Sequence, residues 1–286
     1  KYSALSGKVS LNWTVDDHHF LYAFAATGFK PGGLNVDVGL GPPAPFKSEK
    51  VTNYEVGWKA GWFDGHLRTQ MDVYYNDYEN FQVIIGYPEF PTFGFELNVP
   101  DTTQVYGFEA QAEAVFGQFS LDAGLGWMHS DLGAFWAVDP RNPPSALIAS
   151  FAQCDPRLGP VGVAPALIIP YCLNLEGQDQ TYAPEFSFNL GAQYIFDIGD
   201  GMTLTPRFNF GHVSKQWATL FEDTARGDRI EDRNIVNAQL AWSDGEWTAT
   251  LYSTNLTDQH YVAALNSNLN FAGPPRQYGV RVMKVF

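Results

Sequence analysis

The chain has 286 residues, of which 15% are aromatic and 17% are charged, and its formal net charge is −14. The acidic balance argues against a nucleic-acid partner bound through clustered lysine and arginine, and it disfavours docking on an anionic membrane surface through a basic patch. No apolar run reaches the roughly 18 residues that a transmembrane helix needs. Composition therefore leaves two classes open, an outer-membrane β-barrel and a large secreted β protein.

Alternating apolar and polar residues predict β-strands along most of the chain. In NYEVGWKAGWFDGHLRTQMDVYY (53–75), residue character changes at every second position on both sides of one Asp-Gly pair. This pattern predicts two strands joined by a tight hairpin turn. Eleven strand-like segments are predicted in total, at about 2–15, 20–30, 53–62, 67–87, 94–116, 119–130, 184–196, 202–215, 231–242, 247–255 and 276–286.

Short and long connections alternate between these segments. Short periplasmic turns and long extracellular loops are typical of membrane barrels, whereas a sandwich distributes its long loops between both ends. The polar strand faces carry charges that a close-packed sandwich core would not bury unpaired. These residues are Arg68, Asp72, Glu109, Glu113, Arg207 and Arg281. The sequence therefore predicts an all-β fold, a transmembrane antiparallel up-and-down β-barrel with apolar faces toward lipid and polar faces toward the lumen.

Three long loops carry residue types suited to recognising a ligand. Ligand pockets place a few polar groups among apolar and aromatic walls, and loops often carry recognition. Ordinary loop packing is the alternative for each residue. The candidate ligand-binding residues are Phe135, Trp136 and Arg141 in the longest loop, Trp217, Phe221, Glu222, Arg226 and Arg229 in the second, and Asn266, Ser267, Asn268 and Asn270 in the third.

The two cysteines, Cys154 and Cys172, lie in one loop-like stretch. In an exported protein they are predicted to form a disulfide, and two free thiols are the alternative. Their spacing matches no metal motif. The chain contains no nucleophile elbow, phosphate loop or dinucleotide fingerprint. We therefore expect no enzymatic activity, catalytic residue, metal or cofactor.

Six segments resemble, in the same order, the C-terminal half of TonB-dependent outer-membrane receptors. The final strand, ending at Phe286, is similar to the signal by which the family's barrels are assembled, although a simple girdle aromatic is an alternative. The segments are TGFKPGGLN (27–35), NYEVGWKAGWFDGHL (53–67), VYYNDYENFQV (73–83), VYGFEAQAE (105–113), STNLTDQHYVAA (253–264) and PPRQYGVRVMKVF (274–286).

The resemblance implies a 22-stranded barrel with an N-terminal plug, of which residues 1–286 would be the C-terminal part. The plug, the TonB-binding box and the first half of the barrel would then be supplied by the same polypeptide or by a second chain, because open sheet edges are not tolerated in lipid.

The implied function is energy-coupled import across a Gram-negative outer membrane. The expected ligand is a scarce nutrient such as an iron–siderophore, cobalamin, haem or carbohydrate, and the expected energy-coupling partner is the TonB–ExbB–ExbD complex, acting through the plug. The alternatives are a passive outer-membrane channel and a structural half-barrel in an outer-membrane complex.

Overall fold

A computed structural model describes residues 4–35, 45–86, 94–139, 141, 172–266 and 269–285. Twenty strands lie in this described part of the chain. Their bounds are β1 Lys8–Thr14, β2 His19–Lys30, β3 Glu49–Trp62, β4 Leu67–Glu79, β5 Gln82–Gly86, β6 Gly94–Asn98, β7 Thr103–Phe116, β8 Phe119–Asp131, β9 Trp136–Val138, β10 Cys172–Asn174, β11 Phe186–Tyr194, β12 Phe196–Gly199, β13 Met202–Val213, β14 Gln216–Trp217, β15 Arg229–Ile230, β16 Arg233–Ser243, β17 Trp247–Thr254, β18 Val262–Asn266, β19 Leu269–Ala272 and β20 Gln277–Lys284.

One large antiparallel sheet contains eleven of these strands in a continuous path. The order is β1-β2-β3-β4-β7-β8-β11-β13-β16-β17-β20, and β12 pairs with β13 beside this path. Each strand therefore neighbours the next main strand along the chain, as expected for an up-and-down meander. The predicted number of main strands, eleven, and the all-β class are confirmed. Within the described residues, no helix is long and apolar enough to cross a membrane.

The predicted strand 67–87 is wrong in its length. β4 ends at Glu79, because Asn80 adopts a left-handed backbone with φ of 53°, which breaks the extended conformation. The chain then forms the β5–β6 hairpin, a separate two-stranded sheet, before β7 rejoins the main sheet at Thr103. The predicted strand 94–116 is also divided, into β6 and β7, because β6 pairs with β5 and not with the main sheet.

Smaller hairpins also occupy the other long connections. β9 pairs with β10, β14 with β15 and β18 with β19. A short 3-10 helix, Thr224–Arg226, lies between β14 and β15. All of these pieces lie at one end of the main sheet, which we call the loop end. The tight turns β1–β2, β3–β4, β7–β8 and β16–β17 lie at the opposite end, the turn end.

The pairing register gives the main sheet one polar and one apolar face. Asp72 lies opposite Glu109, and Arg207 lies opposite Gln239, so charged and amide side chains share the polar face. On the other face Val56 lies opposite Val73, and Leu251 lies opposite Val280. All four of these apolar residues are exposed to the surroundings. The alternation read from the sequence is therefore continuous from strand to strand.

Side-chain oxygens close the turns at the turn end. The carboxylate of Asp16 accepts hydrogen bonds from the backbone N–H groups of His18 and His19 at 2.8 and 2.9 Å. The Asp244 carboxylate accepts from the N–H groups of Glu246 and Trp247 in the same way. These donors lower the pKa of each carboxyl. The acidic turns therefore have a structural explanation.

Large side chains on the polar face lie over glycines of the neighbouring strand. A Cβ on Gly107 would overlap the backbone oxygen of Trp127 and approach the Tyr74 hydroxyl to 2.6 Å, whereas a Cβ on Gly211 would meet nothing within 4 Å. We expect Gly107→Ala to destabilise the barrel by about 1–3 kcal/mol, the usual cost of overpacking.

The matched control is Gly211→Ala, at a strand interior on the same face. We expect it to be neutral or slightly stabilising, because alanine loses less backbone entropy than glycine on folding. Denaturant unfolding of the two variants in lipid vesicles measures the difference. Equal stability of the two variants would contradict the close packing at Gly107.

Candidate functional site

Buried apolar side chains join three connections at the loop end into one packed body. They come from the β5–β6 segment, the 131–182 connection and the 214–232 connection. We call this cluster the loop core, which consists of Val83, Ile85, Val99, Leu132, Phe135, Ala137, Leu175 and Leu220, with Phe81, Leu97 and Phe221 packed against it. Its burial indicates that these connections hold a defined arrangement relative to one another.

A buried ion pair, the Arg141–Asp228 bridge, joins two of the same connections. Both terminal nitrogens of Arg141 donate to the Asp228 carboxylate, Nη2 to Oδ2 at 2.9 Å. The Arg141 Nε and Nη2 also donate to Asp139 at 3.0 and 2.9 Å. The side chains of Arg141 and Asp228 are only 15% and 3% exposed. Bidentate arginine–carboxylate pairs are among the stronger hydrogen-bonded contacts and fix orientation as well.

Asp228 also organises its own connection. Its Oδ2 accepts from the Thr219 hydroxyl at 2.7 Å and from the Asp223 N–H at 2.9 Å. Asp223 in turn caps the 3-10 helix, which ends at Gly227 in a left-handed conformation. Burial tends to raise the pKa of Asp228, but the hydrogen bonds from Arg141 and Thr219 lower it overall. Asp228 therefore accepts hydrogen bonds both from its own connection, 214–232, and from Arg141 of the neighbouring one.

A second junction joins the segment before β11 to the 214–232 connection. The Asp179 N–H donates to Glu222 Oε1 at 2.7 Å, and the Tyr182 N–H donates to the Trp217 carbonyl at 2.8 Å. On the other side, the Gln180 N–H donates to Ser130 Oγ at 2.9 Å. Partial burial raises the pKa of both Asp179 and Glu222. The 175–182 segment is thus bonded on both sides.

The candidate residues near the loop core divide into packing and surface positions. Phe135 is 0% exposed, so its ring fills the loop core and has no surface to offer a ligand. Phe221 packs against the same cluster. The Arg141 guanidinium is occupied by two carboxylates. Trp136 in β9 and Trp217 in β14 are only partly buried.

The other two arginines lie on the outside of the 214–232 connection, where each contacts an acidic neighbour. Arg226 Nε lies 3.2 Å from Asp223 Oδ2, and Arg226 Nη1 donates to the Arg141 carbonyl at 3.3 Å. Arg229 Nη2 lies 2.6 Å from Glu231 Oε1. Both guanidinium groups remain partly exposed, so they combine charge with accessibility.

The β18–β19 hairpin presents the third candidate group. Asn266 lies opposite Leu269 in its register, and Leu265 lies opposite Asn270. Asn266, Leu269, Asn270 and Phe271 are exposed. This mixture of amide and apolar groups is the kind that ligand sites use. Ser267 and Asn268 lie outside the described residues.

The disulfide and the assembly signal are described only in part. Cys172, at the start of β10, is disulfide-bonded. Cys154 lies outside the described residues, so the pairing of these two cysteines stays a prediction. Phe286 also lies outside them, and its role in barrel assembly stays a prediction as well.

Sequence reasoning missed two residues that organise the loop end. Asp228 belongs to the Arg-Gly-Asp tripeptide of residues 226–228, which carries no weight as a motif, and its burial has no local signal. Tyr182 adopts a left-handed backbone with φ of 57°, which is rare for an aromatic residue. No periodicity marks either position, because contacts distant in sequence determine both.

A cavity of about 450 Å³ lies at the turn end, away from the candidate loops. Charges of both signs line it, including Asp16, Lys59, Arg68 and Glu113. Among the residues that the structure describes, no group of three or more His, Cys, Asp or Glu is placed to hold a metal ion. The loop end combines exposed aromatic, amide and guanidinium groups, the mixture that ligand sites use.

Three solved structures that share this fold are receptors much longer than this chain. The ferric yersiniabactin uptake receptor FyuA of Yersinia pestis has a TM-score of 0.69 at 18% identity, and the match covers 97% of this chain and 36% of that one. The siderophore receptor PiuA of Acinetobacter baumannii has a TM-score of 0.67 at 16% identity, and the match covers 96% of this chain and 35% of that one. The ferric preacinetobactin receptor BauA of the same organism has a TM-score of 0.65 at 17% identity, and the match covers 97% of this chain and 36% of that one.

The chain therefore spans about a third of the length of the receptors it matches. The model of one family, described as the TonB dependent receptor-like β-barrel, matches residues 1–256. This match includes ten of the eleven main-sheet strands and most of the loop end. The chain belongs to the TonB-dependent receptor β-barrel family.

Proposed function

We propose that this chain is the C-terminal part of the barrel of an outer-membrane importer for a ferric siderophore. The observation that carries the proposal is the family match over residues 1–256, on a sheet with one apolar and one polar face. Similar solved structures, which include receptors for ferric yersiniabactin and ferric preacinetobactin, support this ligand class. Lipid on the apolar face and solvent on the polar face agree with the exposed Val56, Val73, Leu251 and Val280.

The direction of the edge strands supports completion by a different segment rather than by a second copy. The path contains eleven antiparallel strands, so β1 and β20 run in the same direction. In a ring of two identical copies, β20 of one copy would meet β1 of the other in parallel. Bacterial single-chain barrels are antiparallel with an even strand count. The completing segment therefore needs an odd number of strands, which a 22-stranded barrel would supply.

The proposed mechanism assigns binding and gating to different parts of the receptor. The loop end of this chain would provide part of the ligand surface through Trp217, Arg226, Arg229, Asn266 and Asn270. The main sheet would form one wall of the lumen. TonB would act on the plug that the family resemblance implies, and the ligand would pass unaltered, so no catalytic group is required.

Uptake of radioactive iron tests the proposal directly. The full-length receptor is produced in a Gram-negative host that lacks its own siderophore receptors, and a panel of ferric hydroxamate, catecholate and carboxylate siderophores is offered. We expect accumulation from at least one panel member, and we expect it to be abolished in a host without TonB. Accumulation that persists without TonB would support a passive channel instead. No accumulation from any member would overturn the siderophore assignment.

A further inference from the structure

Tyr182 joins three connections at the loop end. Its backbone N–H donates to the Trp217 carbonyl at 2.8 Å. Its hydroxyl accepts from the Leu265 N–H at 3.1 Å and donates to the Leu265 carbonyl. One residue of the segment before β11 therefore bonds to the 214–232 connection and to the β18–β19 hairpin.

The backbone of this residue is held in an unfavourable conformation. Tyr182 has φ of 57°, and Glu222, on the other side of the same junction, has φ of 49°. Residues with a Cβ seldom adopt this region, and they keep it only where the surrounding contacts determine it. The Glu222 carboxylate accepts from the Asp179 N–H, so both left-handed residues contribute a bond that crosses the junction.

The hairpin depends on such contacts for its placement. β18 and β19 pair with each other in a two-stranded sheet of their own and not with the main sheet. At the base of the hairpin, the Gly273 N–H donates to the Tyr261 carbonyl at 2.9 Å. Away from this base, the Tyr182 hydroxyl bonds both backbone groups of Leu265, one residue before the exposed Asn266. It therefore fixes the hairpin close to its tip.

We propose that Tyr182 is a positioning residue that holds the β18–β19 hairpin against the connection carrying Trp217. Through this contact it sets the relative positions of the Asn266 and Asn270 amides and the Trp217 ring. Tyr182 itself is 43% exposed, so it also forms part of the surface between them. The effect on a ligand rests on the proposed function, whereas the positioning of the hairpin does not.

Amide hydrogen exchange in the full-length receptor, without ligand, tests the positioning. Tyr182→Phe keeps the ring and removes only the hydroxyl, so the Leu265 amide loses its acceptor. We expect that amide to exchange at least about fivefold faster, the factor that corresponds to one net hydrogen bond. Tyr54→Phe, the same change on the apolar face of β3, is expected to leave the hairpin unaffected. Unchanged exchange at Leu265 in Tyr182→Phe would overturn the proposal.

Transport kinetics then test the effect on ligand binding. With the panel siderophore that the wild-type receptor takes up fastest, we expect Tyr182→Phe to raise KM about fivefold and leave the maximal rate and thermal unfolding unchanged. A looser hairpin with an unchanged KM would overturn the role in recognition and keep the positioning. If the wild type takes up no siderophore, the proposed function fails, while exchange at Leu265 still decides whether Tyr182 holds the hairpin.

Discussion

Val56→Arg is expected to destabilise the barrel by about 2–4 kcal/mol, the cost of a charged side chain on the lipid face at the bilayer midplane. Val56 lies midway along β3, is 53% exposed, and pairs across the sheet with Ala23 and Val73. All three belong to the apolar face. An arginine there would have to reach past these apolar neighbours to an interface, or take water into the hydrocarbon. Denaturant unfolding in lipid vesicles measures the loss.

The matched control places the same arginine on the opposite face. Gln111 lies midway along β7 and follows the polar face between Glu109 and Glu113. We expect Gln111→Arg to change stability by less than about 1 kcal/mol, because an exposed charge near carboxylates has a small and mostly favourable effect. Equal destabilisation by both arginines would show that the two faces do not separate lipid from water, and the importer proposal would lose its physical basis.

Alternation was sufficient to predict the main sheet because it is local information. A one-residue slip would move every side chain to the other face, so the sequence of each strand specifies which residues share a face. The pairing of Val56 with Val73 and of Asp72 with Glu109 confirms this reading. The end of β4 at Glu79 was not predictable in this way, because apolar residues continue through β5 and the break depends on the left-handed Asn80.

The loop end was less predictable because residue type does not distinguish a ligand surface from a core. Phe135 and Arg141 have the chemistry of a binding site, but one fills the loop core and the other is bonded to two carboxylates. Arg141 and Asp228 are separated by 87 positions in the chain. Only the folded arrangement of the two connections shows that these side chains meet. Tyr182 and Leu265, 83 positions apart, are hidden from sequence reasoning for the same reason.

Asp228→Asn is expected to destabilise the loop core by about 1.5–3 kcal/mol, the usual contribution of hydrogen bonds to a charged group, because Arg141 stays paired with Asp139. The change leaves the buried Arg141 with one carboxylate where it had two. It also weakens the hydrogen bonds that the Thr219 hydroxyl and the Asp223 N–H donate to the side chain of residue 228. The main sheet does not contain the bridge, so barrel unfolding should be almost unaffected. Glu231→Gln, which removes an exposed ion pair of the same connection, should cost at most about 1 kcal/mol.

The pH dependence of the loop core follows from the signs of the pKa shifts. The folded pKa of Asp228 is lowered, so its stabilisation is complete above the unfolded value of about 3.9 and is lost only as the pH falls through the lower folded value. The raised pKa values of Asp179 and Glu222 act in the opposite sense, because protonation on acidification removes the free-energy cost of partly burying a charged carboxylate.

We therefore expect the amide protection of the wild-type loop core, corrected for intrinsic exchange rates, to be as high at pH 5 as at pH 7. Asp228→Asn should lower it at both. Wild-type protection that collapses between pH 7 and pH 5, or an Asn variant as protected as Glu231→Gln, would show that the Arg141–Asp228 bridge does not hold these connections together.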